Sequence, residues 1–215
     1  MIEIKNVNFH YSGLDQAGLS DFNLSVTDGE CILLCGASGC GKTTVTRLIN
    51  GLIPHFFKGE LTGDVYVNGL DIKQQELYNL LGRSLFDLSG GEKQKIACAS
   101  VAALLPDIII LDEPSSNLDW AAIRDLRDAM QLWKSQGKTI IISEHRLWYL
   151  KDIIDRAVYM EKGRIVNEWT RQEFSQLTEK ELKSYELRPV TLEERYIRQF
   201  SNVSKSGNEN PADQR

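Results

Sequence analysis

The sequence predicts an α/β fold in which a mostly parallel sheet lies beside an antiparallel β portion. Three short apolar runs, within CILLC, DIIILDE and KTIIIS, are typical of strands that are buried on both faces of a sheet. Helical stretches separate these runs, and this alternation favours a parallel sheet. The earlier segments IEIKNVNF and DFNLSV alternate apolar and polar residues, as half-buried antiparallel strands do.

The elements follow one another in a regular order. The first two strands end at the turn TDGE, and CILLC leads through a glycine-rich loop into a helix, KTTVTRLINGL, that ends at Gly51. GDVYVNGLDI predicts a strand and a turn, QQELYNLL a short helix, and SGGEKQKIACASVAALL a longer helix. After DIIILDE, the segment DWAAIRDLRDAMQLWKSQG predicts an amphipathic helix that ends at Gly137. RAVYMEKGRIVNEW predicts a hairpin that turns at EKGR.

Composition and charge bound the class of protein. The chain has 215 residues, of which 42% are hydrophobic, enough for one domain with a core and an appendage. Its net charge of −5 argues against a nucleic-acid partner, because nucleic-acid-binding proteins usually carry a basic face. The N-terminal segment is not a signal peptide, and the apolar runs are too short to span a bilayer. The four cysteines form no CxxC pair, which argues against a zinc or disulfide framework and favours reduced thiols.

The strongest motif is GASGCGKTT, residues 36–44, which fits the pattern G-x-x-x-x-G-K-[ST] of a phosphate-binding loop. Glycines let backbone N–H groups curl around phosphate oxygens, and the following helix points its positive end at the anion. Lys42 then reaches the β- and γ-phosphates, and Thr43 offers its hydroxyl to Mg²⁺. The pattern predicts binding of ATP with Mg²⁺ by Gly36, Ala37, Ser38, Gly39, Cys40, Gly41, Lys42, Thr43 and Thr44.

Two further strand ends carry polar side chains. Asp112 and Glu113 follow the buried run IIIL, and His145 follows the run III of KTIIIS. Ligands of open α/β sheets bind at the carboxyl ends of the strands. We therefore expect Asp112 to hold Mg²⁺, Glu113 to orient or deprotonate an attacking water, and His145 to contact the γ-phosphate or that water.

Together these residues resemble the ATP-binding-cassette (ABC) family. LSGGEKQ, residues 88–94, is similar to the family's signature motif, with Glu92 where the family usually has Gln. SNLD, residues 116–119, is similar to the loop that crosses the family's dimer interface. His145 matches the family's switch histidine, and Tyr11 matches the aromatic residue that stacks on adenine, although it also fits an ordinary tyrosine at a strand end. The resemblance adds to the nucleotide site Tyr11, Ser89, Gly90, Gly91, Glu92 and Asp119.

The resemblance implies how the protein works. It covers roughly residues 1–170, the expected nucleotide-binding domain, followed by a helical appendage at 171–200 and a disordered tail at 201–215. The family's ATPase subunits act as dimers with composite ATP sites, one phosphate loop facing the other subunit's signature. The implied partners are a second ABC ATPase subunit and membrane-embedded transporter subunits. NGLIPHFFKGELTGDVYVNGLDI resembles import ATPases of the energy-coupling-factor type, which implies a cytoplasmic protein, peripheral on the inner face of the cell membrane.

One part of the family pattern is missing. Only 46 residues separate Lys42 from Ser89, and family members have about twice that gap. The absent part would contain the Q-loop and most of the helical subdomain, so we expect an internal deletion near residues 83–84. The loss predicts an exposed strand edge, weaker hydrolysis and poor coupling to transport.

Two other functions stay open. A degenerate ABC domain that binds nucleotide with little turnover is favoured by the missing Q-loop. An ABC ATPase of DNA repair or translation ranks last, because the chain has neither a coiled-coil insertion nor a basic patch.

Overall fold

The computed structural model describes residues 1–13, 17–73, 84–85 and 106–190. Two sheets account for the strands of these segments, one wholly antiparallel and one mostly parallel. The predicted helices at 74–81 and from residue 89, and the predicted tail, lie outside the described residues.

The antiparallel sheet is built by the alternating segments of the sequence. Its four strands are β1 (Ile2–Tyr11), β2 (Ala17–Val26), β4 (Gly59–Val67) and β5 (Leu70–Asp71), in the order β2-β1-β4-β5. The alternation slips by one residue in β1 between Ile4 and Val7. A register shift there, with Asn6 at a φ of 51°, keeps both apolar pairs on the buried face.

The second sheet carries the buried apolar runs at its centre. Its strands are β3 (Cys31–Cys35), β6 (Ser84–Leu85), β7 (Ile108–Asp112), β8 (Thr139–Ser143), β9 (Arg156–Glu161) and β10 (Arg164–Thr170). The order is β10-β9-β3-β8-β7-β6, and every pair except β9–β10 is parallel. The predicted hairpin at EKGR is therefore confirmed, with Lys162 and Gly163 at φ values of 49° and 77°.

Apolar side chains from the central strands enter two cores on opposite faces of this sheet. Ile32 and Leu34 face a cluster shared with the antiparallel sheet and with helix α1 (Lys42–Ile49). Leu33 and Cys35 face a second cluster, which packs against helix α3 (Trp120–Ser135). Burial on both faces is why these strands are continuously apolar. Their parallel pairing brings their carboxyl ends to one edge of the sheet.

The remaining helices of the described chain, and the start of α3, complete the packing. A short helix α2 (Leu52–His55) follows α1, and the N-cap Asp119 begins α3 by accepting from the Ala122 N–H at 2.8 Å. In the predicted appendage, α4 (Arg171–Ser175) and α5 (Glu179–Ser184) pack Phe174 and Leu182 into the second cluster.

Candidate functional site

The phosphate loop lies between β3 and α1, as predicted, and its close contacts require glycine. At Gly36, with a φ of 141°, a Cβ would lie 2.3 Å from the Met160 carbonyl oxygen. At Gly41, with a φ of 111°, a Cβ would lie 2.7 Å from the Gly18 carbonyl oxygen. A side chain at either position would force the backbone to move, so the fold requires glycine at both.

The Lys42 ammonium is held inside this loop. Its side chain is buried, and Nζ donates to the carbonyl oxygens of Gly36 at 2.9 Å and Ala37 at 3.0 Å. No side chain caps the start of α1, so its first N–H groups keep their donors for an anion. Cys40 is buried beside Lys42, with 3.8 Å between Nζ and Sγ, and Ser38 is exposed at the rim.

The two predicted metal ligands lie together. The Thr43 hydroxyl donates to Oδ1 of Asp112 at 3.4 Å, and the Thr46 hydroxyl lies 3.5 Å from Oδ2. Hard oxygen donors of this kind suit Mg²⁺, which commonly binds through one or two protein oxygens together with substrate phosphates and water. Within the described ranges no cluster of three His, Cys, Asp or Glu residues forms a dedicated metal cage. The pair therefore fits a Mg²⁺ ion that arrives with a phosphate.

Glu113 and His145 also meet, at the same edge of the sheet. The Glu113 Oε1 and His145 Nε2 atoms are 3.3 Å apart, and both side chains are half-buried. Glu113 has a φ of 46°, and its N–H donates to the Ser143 carbonyl oxygen at 2.8 Å. A left-handed backbone at a glutamate is uncommon and costs free energy, and it occurs in turns as well as at functional sites.

A buried carboxylate behind this pair, Glu144, was missed by the sequence reasoning. It is 3% exposed and accepts hydrogen bonds from the backbone N–H groups of Ser115, His145 and Arg146, at 3.1, 2.7 and 3.0 Å. It also accepts from the Tyr149 hydroxyl at 2.8 Å. Burial, and then the nearby Glu144 carboxylate, raise the pKa of Tyr149 well above its ordinary value. Glu144 thus ties the turn after Glu113 to the backbone of His145.

Tyr11 borders a cavity of about 460 Å³ that opens beside the phosphate loop. Its hydroxyl lies 3.2 Å from the Thr44 hydroxyl, and its ring packs edge-on against Phe9 with centroids 4.7 Å apart. The cavity is lined by Tyr11, Ala17, Gly18, Gly39, Gly41, Thr43, Thr44, Arg47 and Phe57.

Of the remaining predicted residues, Asp119 lies in the described part of the chain and the signature residues do not. Asp119 caps α3 at the surface, and its neighbour Trp120 stacks on Trp148 with ring centroids 4.4 Å apart and an interplanar angle of 11°. The signature residues lie outside the described part of the chain and are Ser89, Gly90, Gly91 and Glu92. None of the described helices is long and apolar enough to cross a membrane.

Comparisons with known proteins agree with this geometry. The family model described as ABC transporter matches residues 19–83. An ABC transporter ATP-binding protein of Pyrococcus abyssi is 31% identical over 228 residues, covering 80% of this chain and 81% of the relative. Another, from Treponema denticola, is 42% identical over 242 residues and covers 87% of this chain and 50% of the relative. The chain spans about half the length, or less, of the first curated relatives it matches.

Solved structures confirm the predicted α/β fold. The dimeric ABC transporter cassette MJ0796 has a TM-score of 0.69 at 20% identity, covering 80% of this chain and 99% of its own. CbiO1 of Clostridium perfringens, part of an ABC transporter complex, also has a TM-score of 0.69 at 20% identity, covering 84% and 92%.

The alignment lengths bear on the missing segment. In the P. abyssi alignment, 80% of this chain is about 172 residues, so about 55 of the 228 positions have no residue here. The T. denticola alignment leaves a similar number of its 242 positions without a counterpart. The family match ends at residue 83, where the sequence predicts the deletion. By its similarity to these relatives, the chain belongs to the family of ABC transporter ATP-binding proteins.

Proposed function

We propose that this chain binds ATP with Mg²⁺ at residues 36–44 and hydrolyses it as the nucleotide-binding subunit of a membrane transporter. One observation carries the proposal: the Lys42 loop, the Thr43–Asp112 pair and the Glu113–His145 pair converge at the carboxyl edge of one sheet. Each supplies a part that phosphoryl transfer needs.

The roles follow from the contacts. The Lys42 ammonium and the first N–H groups of α1 bind phosphate oxygens, and Thr43 and Asp112 hold Mg²⁺. The ion neutralises charge on the phosphates when it is bound. Glu113, whose carboxylate is 45% exposed, accepts the proton of the attacking water. The Nε2 atom of His145 lies 3.3 Å from Oε1 of Glu113, close enough for His145 to help position that carboxylate.

Thermal unfolding tests the nucleotide site. We expect saturating Mg-ATP to raise the unfolding temperature, because a ligand at a hundredfold excess over its Kd stabilises the folded state by about 2.7 kcal/mol. Lys42→Ala should abolish the shift, whereas Lys180→Ala, at an exposed position of α5, should keep it. A shift that survives in Lys42→Ala would refute binding at residues 36–44.

The proposed assembly is a dimer with composite sites, in which Ser89, Gly90, Gly91 and Glu92 of one chain face the phosphate loop of the other. Glu113→Gln removes the base but keeps the side-chain shape, so ATP should accumulate in the dimer. Light scattering coupled to gel filtration should then show a dimer with Mg-ATP and a monomer with Mg-ADP. A monomer in both nucleotides would contradict the composite site.

The proposed membrane role rests on the family of the chain rather than on contacts among the described residues. The family of the chain and its resemblance to energy-coupling-factor ATPases support an import transporter, with the chain in the cytoplasm at the inner face of the membrane. Its partners would be membrane-embedded subunits, and nucleic acid is not among them.

A second candidate function is a nucleotide-binding module with little turnover. It is favoured by the roughly 55 positions of the relatives that this chain lacks. Phosphate release from Mg-ATP separates the two functions. Turnover lost in Glu113→Gln supports the ATPase, and nucleotide binding without turnover supports the module.

A further inference from the structure

The cavity beside the phosphate loop combines two kinds of lining. Loop backbone and the hydroxyls of Thr43 and Thr44 supply polar groups, and Tyr11, Arg47 and Phe57 supply aromatic rings and a planar cation. A nucleoside triphosphate has parts of both kinds, a polyanion and an aromatic base. The aromatic and guanidinium groups therefore match the nucleoside in kind.

Arg47 is held in place in the lining of this cavity. Its guanidinium carbon lies 4.0 Å over the centre of the Phe57 ring, and Nη1 donates to the Tyr11 hydroxyl at 3.3 Å. The Tyr11 and Phe57 rings meet edge-on, with centroids 6.3 Å apart at 90°. No carboxylate of the described segments pairs with Arg47, so its charge and remaining donors stay available to a ligand.

The Tyr11 ring has less freedom than its predicted stacking role suggests. A Cβ at Gly18 would lie 3.0 Å from the ring, which shows how closely the ring and the backbone pack. The Tyr11 hydroxyl is also engaged by Thr44 and by Arg47. Tyr11 thus acts as a support for the Arg47 guanidinium as well as a wall of the cavity.

We infer that Arg47, backed by Phe57, binds the nucleoside half of the nucleotide. Guanidinium planes stack on nucleobases as they stack on aromatic rings, and the edge donors reach ring nitrogens or ribose hydroxyls. The inference rests on the proposed binding of nucleotide at residues 36–44, and it adds Arg47 and Phe57 to the predicted contact of Tyr11.

The test separates the two halves of the ligand. Isothermal titration gives the Kd of the non-hydrolysable analogue AMP-PNP and of tripolyphosphate, both with Mg²⁺, for the full chain and three variants. Arg47→Lys keeps the charge but loses the plane, and Phe57→Leu removes the backing ring. Phe56→Leu is the matched control, because Phe56 is 67% exposed and does not line the cavity.

We expect Arg47→Lys and Phe57→Leu each to weaken AMP-PNP binding about tenfold and to leave tripolyphosphate binding within about twofold. Phe56→Leu should change neither. Equal weakening of both ligands, or no weakening, would overturn the nucleoside role. Wild-type protein that binds both ligands equally would overturn it too and leave the phosphate-loop proposal standing, whereas protein that binds neither would overturn both.

Discussion

At the residue scale, the Glu144 carboxylate decides whether the turn after Glu113 and the segment of His145 keep their positions. Four donors converge on its two oxygens, three from the backbone and one from Tyr149. Because Glu144 is buried, water cannot replace the carboxylate as the acceptor for a donor that loses its hydrogen bond.

We expect Glu144→Gln to lower the free energy of unfolding by about 3 kcal/mol, since the amide NH₂ faces donors that need an acceptor. Urea denaturation of the full chain measures the loss. Glu60→Gln, at an exposed position of β4, should stay within about 0.5 kcal/mol of the wild type. A comparable, small effect of both substitutions would show that Glu144 does not hold these segments.

The site residues that could be predicted from the sequence are those that belong to a motif of fixed spacing or follow a predicted strand. The spacing of Gly36, Gly41 and Lys42 encodes a phosphate loop, and strand ends placed Asp112, Glu113 and His145 together. Glu144 escaped because three of its four partners are backbone N–H groups, which leave no pattern in side chains. Arg47 escaped because its partner Phe57 lies ten positions away, beyond one turn of any helix.

At the element scale, the two short helices of the appendage depend on their first turns. Thr170 with Glu173 and Thr178 with Glu181 form capping boxes, in which each side chain bonds the backbone of the other. Hydrogen bonds from Thr170, the backbone N–H first, lower the pKa of Glu173. Hydrogen bonds from Thr178, the hydroxyl first, lower the pKa of Glu181.

These shifts set the sign of a pH dependence. A carboxylate whose pKa is lower in the folded state contributes stability above its unfolded pKa, near 4.5, and loses it as the pH falls through the folded value. We expect Glu173→Gln with Glu181→Gln to reduce the loss of stability between pH 7 and pH 3.5. Urea midpoints at the two pH values measure it, and an unchanged loss would exclude the capping carboxylates as its source.

The strands were the easiest elements to predict. A strand buried on both faces has a continuous apolar run, and a strand buried on one face alternates apolar and polar residues. The phase slip at Asn6 was not predicted, although the two consecutive polar residues Lys5 and Asn6 mark it in the sequence. The cap residues Thr170 and Thr178 carry the S/T-x-x-E pattern, so the starts of α4 and α5 were within reach of the sequence.

At the scale of the whole molecule, we expect the missing segment to affect the edge of the parallel sheet. The two-residue strand β6 pairs only with Ile110 and Leu111 of the five-residue β7. In the described chain, the other β7 residues have no strand partner on that side. An unpaired apolar strand edge favours association with other chains.

Inserting the aligned segment of the T. denticola relative, about 55 residues, between Arg83 and Ser84 should raise the unfolding temperature and reduce light scattering on heating. A flexible glycine–serine insertion of the same length is the control, because it adds only a closure cost. If both insertions behave alike, the absent residues do not cover this edge.

The stacked indoles of Trp120 and Trp148 give the molecule an optical property of its own. Trp120 begins α3, just after the Glu113 turn, and Trp148 follows His145, so the pair joins the segment after Glu113 to the segment after His145. Parallel indoles at 4.4 Å couple their electronic transitions, and that coupling falls steeply with distance. Near-ultraviolet circular dichroism therefore reports any separation of these segments without an added label.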